Sequence, residues 1–474
     1  MYNNEQLNVS QQSPFGITIG DKTIAGIGQA DDVLLLSSDV NCLSHLLTLT
    51  LSYCKKYQVD LSQEKTKLQV YAPKSLMSSV EYWKKASPIS IDANFIDFVD
   101  TAEHVGILRS VTGHMPHILK RIKSHKQALG AVLSSGLARQ HRANPAASLR
   151  TEKLYGLPVL MSGDAPLTLL ESEIDILSQH YKETLEGLLK IHSKTPQAFV
   201  FFVAGSLPFR GIFHLKQLNL FGMLSRLQDN ILHKLAKYLL TTSPDSSHSW
   251  FINIKKLCKL YELPHPLTIL DSPPTKEQFK RLLKEKVQTY WERKLIQEST
   301  PLDSLAFFKP QYMSLSSPHP IITTCGTNPY EINKAIIQLK FLSGRYRTDR
   351  LLSHFQPSSP PTCQLSCDKP DASGDLRHLL LHCSTLSPRR ALLFDYWDSM
   401  ISTNPVLFDI VMKMKSGPED NLLQFLLDCS VIPCIVQTAN IYGDEIFATL
   451  FKLSRTFCYS IHRERLQILG RWIR

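Results

Sequence analysis

The spacing of apolar and polar positions changes several times along this chain. Between Gly16 and Leu36 apolar residues come in short runs: Ile24 to Ile27, the polar Gln29-Ala30-Asp31-Asp32, then Val33 to Leu36. Two apolar runs flanking a few polar residues predict a β-hairpin, with Asp31 and Asp32 at its tip. From Asn41 to Tyr57 the period becomes helical. Leu43, Leu46, Leu47, Thr50 and Cys54 share one face, and Asp39 or Asn41 is placed to cap it. A polar turn, Val59 to Ser62, and then Glu64-Lys65-Thr66-Lys67 lead into the alternating Leu68 and Val70. Ser75 to Ala86 reads as a short helix. Ile89 and Ile91, with Phe95, Ile96 and Phe98 across Asp92-Ala93-Asn94, predict a second hairpin, and His104 to Leu108 follows it.

Further on the pattern is mostly helical. Ile118, Ile122, Leu129 and Leu133 form one stripe. Leu169, Leu170, Ile174, Leu177, Tyr181, Leu185 and Leu188 form another. Ala198 to Ala204 is apolar throughout and fits a buried strand or a buried helix. Ser243 to His248 breaks the pattern as a loop and a plausible boundary. Thr275 and Gln278 have capping-box spacing, and Phe279, Leu282, Leu283, Val287, Tyr290 and Trp291 follow on one side of a helix. Arg455 to Arg474 reads as a terminal amphipathic helix, its arginines either a nucleic-acid face or packed on preceding helices. No apolar run approaches the roughly 18 residues of a membrane span. The class expected is α+β: antiparallel hairpins plus a helix first, then mostly helix.

Charge adds a partner to this picture. The net charge is +11 over 474 residues, which favours nucleic acid first and an anionic membrane second. Residues 105 to 151 hold no Asp or Glu but carry Arg109, Lys120, Arg121, Lys123, Lys126, Arg139, Arg142 and Arg150, largely off the apolar stripe. A charge run is usually a solvated face. One free of acids over this length is suited to gripping phosphates without reading bases. Arg345, Tyr346 and Arg347 interleave cation and aromatic, which predicts a second face able to stack bases and bind phosphate.

Three of the ten cysteines cluster, in the pattern Cys363-x3-Cys367-x10-His378-x4-Cys383. Cys3His is a closed structural set for Zn²⁺. A helix over Asp375 to Cys383 is expected to bring His378 and Cys383 near one face, with His382 pointing elsewhere. The remaining seven cysteines are scattered as small buried residues. With no signal-peptide pattern in MYNNEQLNVSQQSP, an intracellular, reducing compartment is expected, cytoplasmic or nuclear.

The order of the first segments (hairpin with paired Asp, helix, polar turn, Lys-Thr-Lys, strand) resembles the palm of reverse transcriptases of non-LTR, LINE-like retrotransposons. In that family Ala-Asp-Asp follows an aromatic; Gln29 takes that place here. The hairpin at 89–98 and His104 to Leu108 resemble the family's primer grip, the alternative being an ordinary hairpin that closes the palm sheet, and the basic stretch occupies the position of the family's thumb. Leu207-Pro208-Phe209 and His214 to Leu227 resemble a segment after it. The cysteine cluster, followed by Ser387-Pro388-Arg389-Arg390, resembles the family's C-terminal zinc knuckle, with a longer middle gap. The resemblance implies a truncated palm over 1–108, a thumb over 109–195, a helical connector over 196–320 and a C-terminal region over 321–474 with the knuckle at 363–383.

It also implies RNA-directed DNA synthesis, with an RNA template and a DNA primer as partners and no membrane. Asp31 and Asp32 would hold Mg²⁺, and Lys65 would lie near the incoming triphosphate. Two metal ions about 4 Å apart would clamp the attacking and leaving oxygens. The family's fingers and earlier palm Asp do not fit before Gln29, so the chain is expected to be the C-terminal part of a longer polymerase, inactive by itself. The alternatives are a non-enzymatic RNA- or DNA-binding knuckle protein and a relic open reading frame.

Overall fold

The computed structural model describes residues 13–72, 74–76, 78, 80–81, 89–91, 94–134, 144–228, 230–356, 358–368, 372–443 and 445–470. They gather into two units, each drawn from three stretches of chain. One takes the chain up to His125, Pro158–Leu177 and Phe213–Lys286; the other takes Lys126–Leu157, Ser178–Ile212 and the chain from Val287.

The first unit holds the strands: β1 (Ile17–Ile19), β2 (Lys22–Ile24), β3 (Gly26–Gln29), β4 (Asp32–Leu35), β5 (Lys67–Leu68), β6 (Ser90–Ile91), β7 (Asn94–Phe95), β8 (Asp97–Phe98), β9 (Thr101–His104) and β10 (Ile107–Ser110). They pair two by two into five small sheets rather than one continuous one. β3 and β4 form the expected antiparallel hairpin, with Gly26 opposite Leu35 and Gln29 opposite Asp32. The Val40–Tyr57 helix follows. Of its two candidate caps the structure uses Asp39, whose carboxylate accepts from the Asn41 and Cys42 N–H groups. The helix lays Val40 and Leu47 on Ile89 and Ile91, with Leu35, Leu43, Leu51, Leu61, Leu68 and Ile96 packed around them. This apolar layer seats the Asp31–Asp32 hairpin.

The second expected hairpin is shorter than the alternation suggests. β6 pairs with β7, but β8 leaves it and runs parallel to β5, with Lys67 opposite Asp97 and Leu68 opposite Phe98. An ion pair of 2.7 Å from Lys67 to Asp97 and the Val99 N–H bond to the Leu68 carbonyl hold that pairing. Beyond it β9 and β10 make a hairpin that the pattern did not announce. Its turn is Val105-Gly106, both left-handed at φ 50° and 74°. Two such residues suit a tight hairpin turn, but a β-branched residue in the first position is rare there and sends no turn signal. Lys74–Leu76 is one 3₁₀ turn, and most of the expected helix at Ser75 to Ala86 lies outside the described residues.

Helices Ile231–Thr242, Trp250–Leu260 and Pro266–Asp271 complete the first unit, and the Ser243 to His248 loop lies inside it. At the start of the Lys276–Ser299 helix the capping box forms as expected: the Thr275 hydroxyl accepts the Gln278 N–H while Gln278 Oε1 accepts the Thr275 N–H, each at 3.3 Å.

In the second unit the apolar run resolves as the helix Gln197–Ala204, with every residue from Ala198 to Ala204 buried. A helix hydrophobic on all sides must be enclosed on all sides. Phe199 and Phe202 pack on Phe308, and Tyr181 packs on Phe201. Further along, Pro329–Leu342 packs against the long Glu445–Ile468 helix, beside a cluster of Trp397, Phe425 and Phe457. Arg455 and Arg465 of that last helix are buried. Arg455 donates to the Ile321 and Thr324 carbonyls and to the Thr324 hydroxyl. These two arginines therefore belong to packing and not to a basic tail; Arg471 and Arg474 lie outside the described residues. No single described helix is long and apolar enough to cross a membrane.

Candidate metal centre

The ligand atoms of Cys363, Cys367, His378 and Cys383 lie within 4.8 Å of one another. Sγ of Cys363 is 3.8 Å from Sγ of Cys383, and Sγ of Cys367 is 3.7 Å from Nε2 of His378. With metal–sulfur bonds of about 2.3 Å and metal–nitrogen bonds of about 2.0 Å, a tetrahedral zinc site has ligand edges of roughly 3.6 to 3.8 Å. These two separations already have about that length. Among the described residues this is the one group of three or more His, Cys, Asp or Glu close enough to hold a metal ion such as zinc.

The backbone explains how this spacing converges. Ser366, just before Cys367, is left-handed at φ 53° and turns the second thiol back toward the first. Cys363 and Cys383 lie on opposite sides of a clasp. The Cys363 N–H donates to Ala372, the Thr385 hydroxyl to Leu365, and the Asp368 N–H to the Ser384 hydroxyl. His378–His382 is not an α-helical turn but a π turn, closed by the Cys383 N–H on the His378 carbonyl at 2.8 Å. On a regular helix, positions five apart diverge by about 140°. The wider turn brings His378 and Cys383 to one side, as π turns do at functional sites. His382 points away, with Nε2 3.2 Å from the Glu419 carboxylate. His378, and not His382, is placed to serve as a ligand.

The surroundings suit a cation. Cys383 is fully buried and His378 nearly so. Burial pushes the Cys363 thiol up to about 12, and the neighbouring Cys383 and Cys367 add to the shift. Three thiols in one place resist ionising together, and a metal ion reverses this by displacing their protons. Burial also holds His378 below its ordinary value, which keeps its ring in the neutral form a metal binds. Buried Arg390 donates to the Cys383 carbonyl at 2.5 Å, so the Pro-Arg segment braces the centre directly. Gly374 is confined as well: a Cβ there would stand 2.6 Å from that of Asp349.

The other expected residues are scattered over the fold. Asp31 and Asp32 stand exposed at the β3–β4 tip, with Ala30 left-handed at φ 55°. Among the described residues no third carboxylate joins them in a metal-binding group. Lys65 is exposed in the turn before β5, and no side-chain bond among the described residues ties it to either Asp. Lys123 and Lys126 are exposed on the Met115–Val132 helix. Lys120 is committed to Glu103 at 2.5 Å, and Arg121 donates to the Gly106 carbonyl, so half of this expected quartet braces the β9–β10 hairpin. Tyr346 corrects the expected stacking face. It is buried, stacked on Phe341 at 4.0 Å, and its hydroxyl bonds Nδ1 of His462 at 2.9 Å. No base can reach its ring, whereas Arg347 is exposed and Arg345 half-buried.

Two buried His–Asp pairs went unannounced in the sequence. Nδ1 of His117 accepts the Leu108 N–H at 3.3 Å and its Nε2 meets Asp164 at 2.9 Å. Nδ1 of His319 accepts the Ile321 N–H at 3.1 Å and its Nε2 meets Asp428 at 3.1 Å. In each the imidazole bridges a backbone N–H and a remote carboxylate, a structural tie between elements. Partners 47 and 109 residues apart leave no local signal. Compared with known proteins, the chain matches no family model and no curated protein.

Proposed function

We propose that this chain is part of a LINE-like reverse transcriptase and serves as a nucleic-acid-binding portion clasped by a structural Zn²⁺. The convergence of the Cys363, Cys367, His378 and Cys383 ligand atoms within 4.8 Å, two of their separations having the length of a zinc-site edge, carries the reading. Such a closed set of four leaves no open position for substrate, so its role is to hold the 361–390 clasp on the helices behind it. The hairpin with exposed Asp31 and Asp32, followed by a capped helix, supports the polymerase part of the proposal. Bound there, Mg²⁺ would supply charge neutralisation for nucleotidyl transfer, in which a primer 3′-hydroxyl attacks the α-phosphorus of a deoxynucleoside triphosphate and pyrophosphate leaves. Asp31 would hold the ion, Asp32 would support it, and Lys65 would face the triphosphate.

Two adjacent carboxylates, with no third acidic partner among the described residues, place a divalent ion poorly, and a misplacement of about 1 Å can cost 10²-fold in rate. The polypeptide by itself is expected to extend no primer. The test has two arms. Purified chain carrying one equivalent of zinc should bind single-stranded RNA with steep salt dependence; no binding at low salt overturns the proposal. Primer extension with Mg²⁺ or Mn²⁺ should show nothing, and template-dependent product would overturn the expected inactivity.

A further inference from the structure

Tyr346 is held from three sides: Phe341 stacks on its ring, Nδ1 of His462 hydrogen-bonds its hydroxyl, and Arg465 lies 5.5 Å from its centroid. Just before it, Gly344 is left-handed at φ 64°, and a Cβ there would stand 2.2 Å from the Ser304 carbonyl oxygen. The turn is pinned at Gly344 and Tyr346, so Arg345 and Arg347 flank a buried ring. The Arg345 N–H bonds the Lys340 carbonyl at 3.2 Å, which brings the end of the Pro329–Leu342 helix into the same place.

Among the described residues no carboxylate pairs with Lys194, Lys340, Arg345 or Arg347, and Nε of Arg345 is buried without an acceptor. The loop at His192 to Lys194 shares their field: burial and then Arg345, Arg347, Lys194 and Lys340 hold the His192 imidazole below its ordinary value. Nδ1 of His192 accepts the Lys194 N–H at 3.0 Å, so the neutral ring keeps its proton on Nε2 as one more donor. Like charges that act on one imidazole also repel one another, and an anion among them relieves the cost. The nearest acid in sequence, Asp349, is spent on Arg465 at 2.7 Å.

We propose that the rigid turn carrying Lys340, Arg345 and Arg347, together with Lys194, is a binding site for the phosphates of a single nucleic-acid strand. The proposal rests on the nucleic-acid reading above for the identity of the polyanion. It departs from a base-stacking face, because the one aromatic of the turn is enclosed. Recognition is by charge and guanidinium hydrogen bonds to phosphate oxygens, so it is insensitive to base sequence.

The test is fluorescence anisotropy of a labelled single-stranded oligonucleotide with the full zinc-loaded chain across a series of KCl concentrations. The triple variant Lys194→Gln, Arg345→Gln, Arg347→Gln should flatten the slope of log affinity against log salt by about 2, since each phosphate contact to a single strand contributes roughly 0.7. Binding at low salt should weaken at least tenfold. Arg345→Lys with Arg347→Lys should keep the slope, and equal zinc content in all variants excludes misfolding as the cause. Parent binding with an unchanged slope in the triple variant overturns this site alone. Failure of the parent to bind at all overturns both this proposal and the reading beneath it.

Discussion

Arg465, on the Glu445–Ile468 helix, donates to Oδ1 of Asp349 at 2.7 Å, and both side chains are buried. The other oxygen of Asp349 accepts the N–H of Gln364, the residue after Cys363, at 3.2 Å. One carboxylate thus ties the last helix to the first thiol of the clasp. Asp349→Ala leaves a buried guanidinium facing no charge, and breaking a buried pair in this way costs about 3 to 5 kcal/mol. Zinc affinity should fall by about 10- to 100-fold, as on losing a partner behind a metal ligand. Denaturant unfolding and competition with a zinc chelator measure the two effects. The pair Asp349→Leu with Arg465→Met should lose less stability than Asp349→Ala, because no charge is left stranded.

Metal removal gives a second prediction. Stripping zinc with a chelator should raise hydrogen exchange over residues 361–390, where the thin clasp is tied mainly by single hydrogen bonds. Adding one equivalent of zinc should restore protection. Cys383→Ser should abolish stoichiometric metal uptake. Cys258→Ser, at a buried cysteine outside the group, should leave metal content unchanged.

His462 supplies a pH dependence. Burial, and then the charges of Lys340 and Arg465, pull its pKa down to about 4, while the ring accepts the Tyr346 hydroxyl. A folded value below the unfolded one near 6.5 means the unfolded chain binds the proton more tightly. This contribution is complete above pH 6.5 and is lost as the pH falls toward 4, about 3 kcal/mol at most. His462→Asn, which keeps an acceptor for Tyr346, should show a shallower loss of stability over that window. An identical pH profile in both proteins would show that His462 is not the group responsible.

The β3–β4 tip is predicted to be mechanically idle. Asp31 and Asp32 are exposed, so changing both to Asn should move stability by less than about 0.5 kcal/mol in urea unfolding. Ala30 is different, because its left-handed conformation costs an L-residue roughly 1 to 2 kcal/mol. Ala30→Gly should therefore stabilise the hairpin, read as a higher denaturation midpoint.

Much of the local architecture is legible in the chain. The Thr275–Gln278 box, the Asp39 cap, the hairpin under Asp31 and Asp32 and the four metal-ligand positions all emerge from residues a few places apart, whose chemistry acts over one turn or one loop. The cysteine spacing marked out the candidate site for the same reason: chelation by nearby residues leaves a spacing that can be read.

Tertiary structure decided what depends on distant neighbours. It chose helix over strand for Ala198 to Ala204 by enclosing every side of it. It enclosed Tyr346 between Phe341 and His462, turning an expected stacking face into a rigid base for two arginines. It spent Lys120 on Glu103 and Arg465 on Asp349, so a cation count in the sequence overstates the charge available to a partner. It widened the turn at His378 so that a helix brings a ligand five residues from Cys383 onto the same side. Burial and pairing belong to the three-dimensional neighbourhood. A residue carries its charge and shape in the sequence, but whether water, a metal ion or an opposite charge meets it is settled only when remote segments close around it.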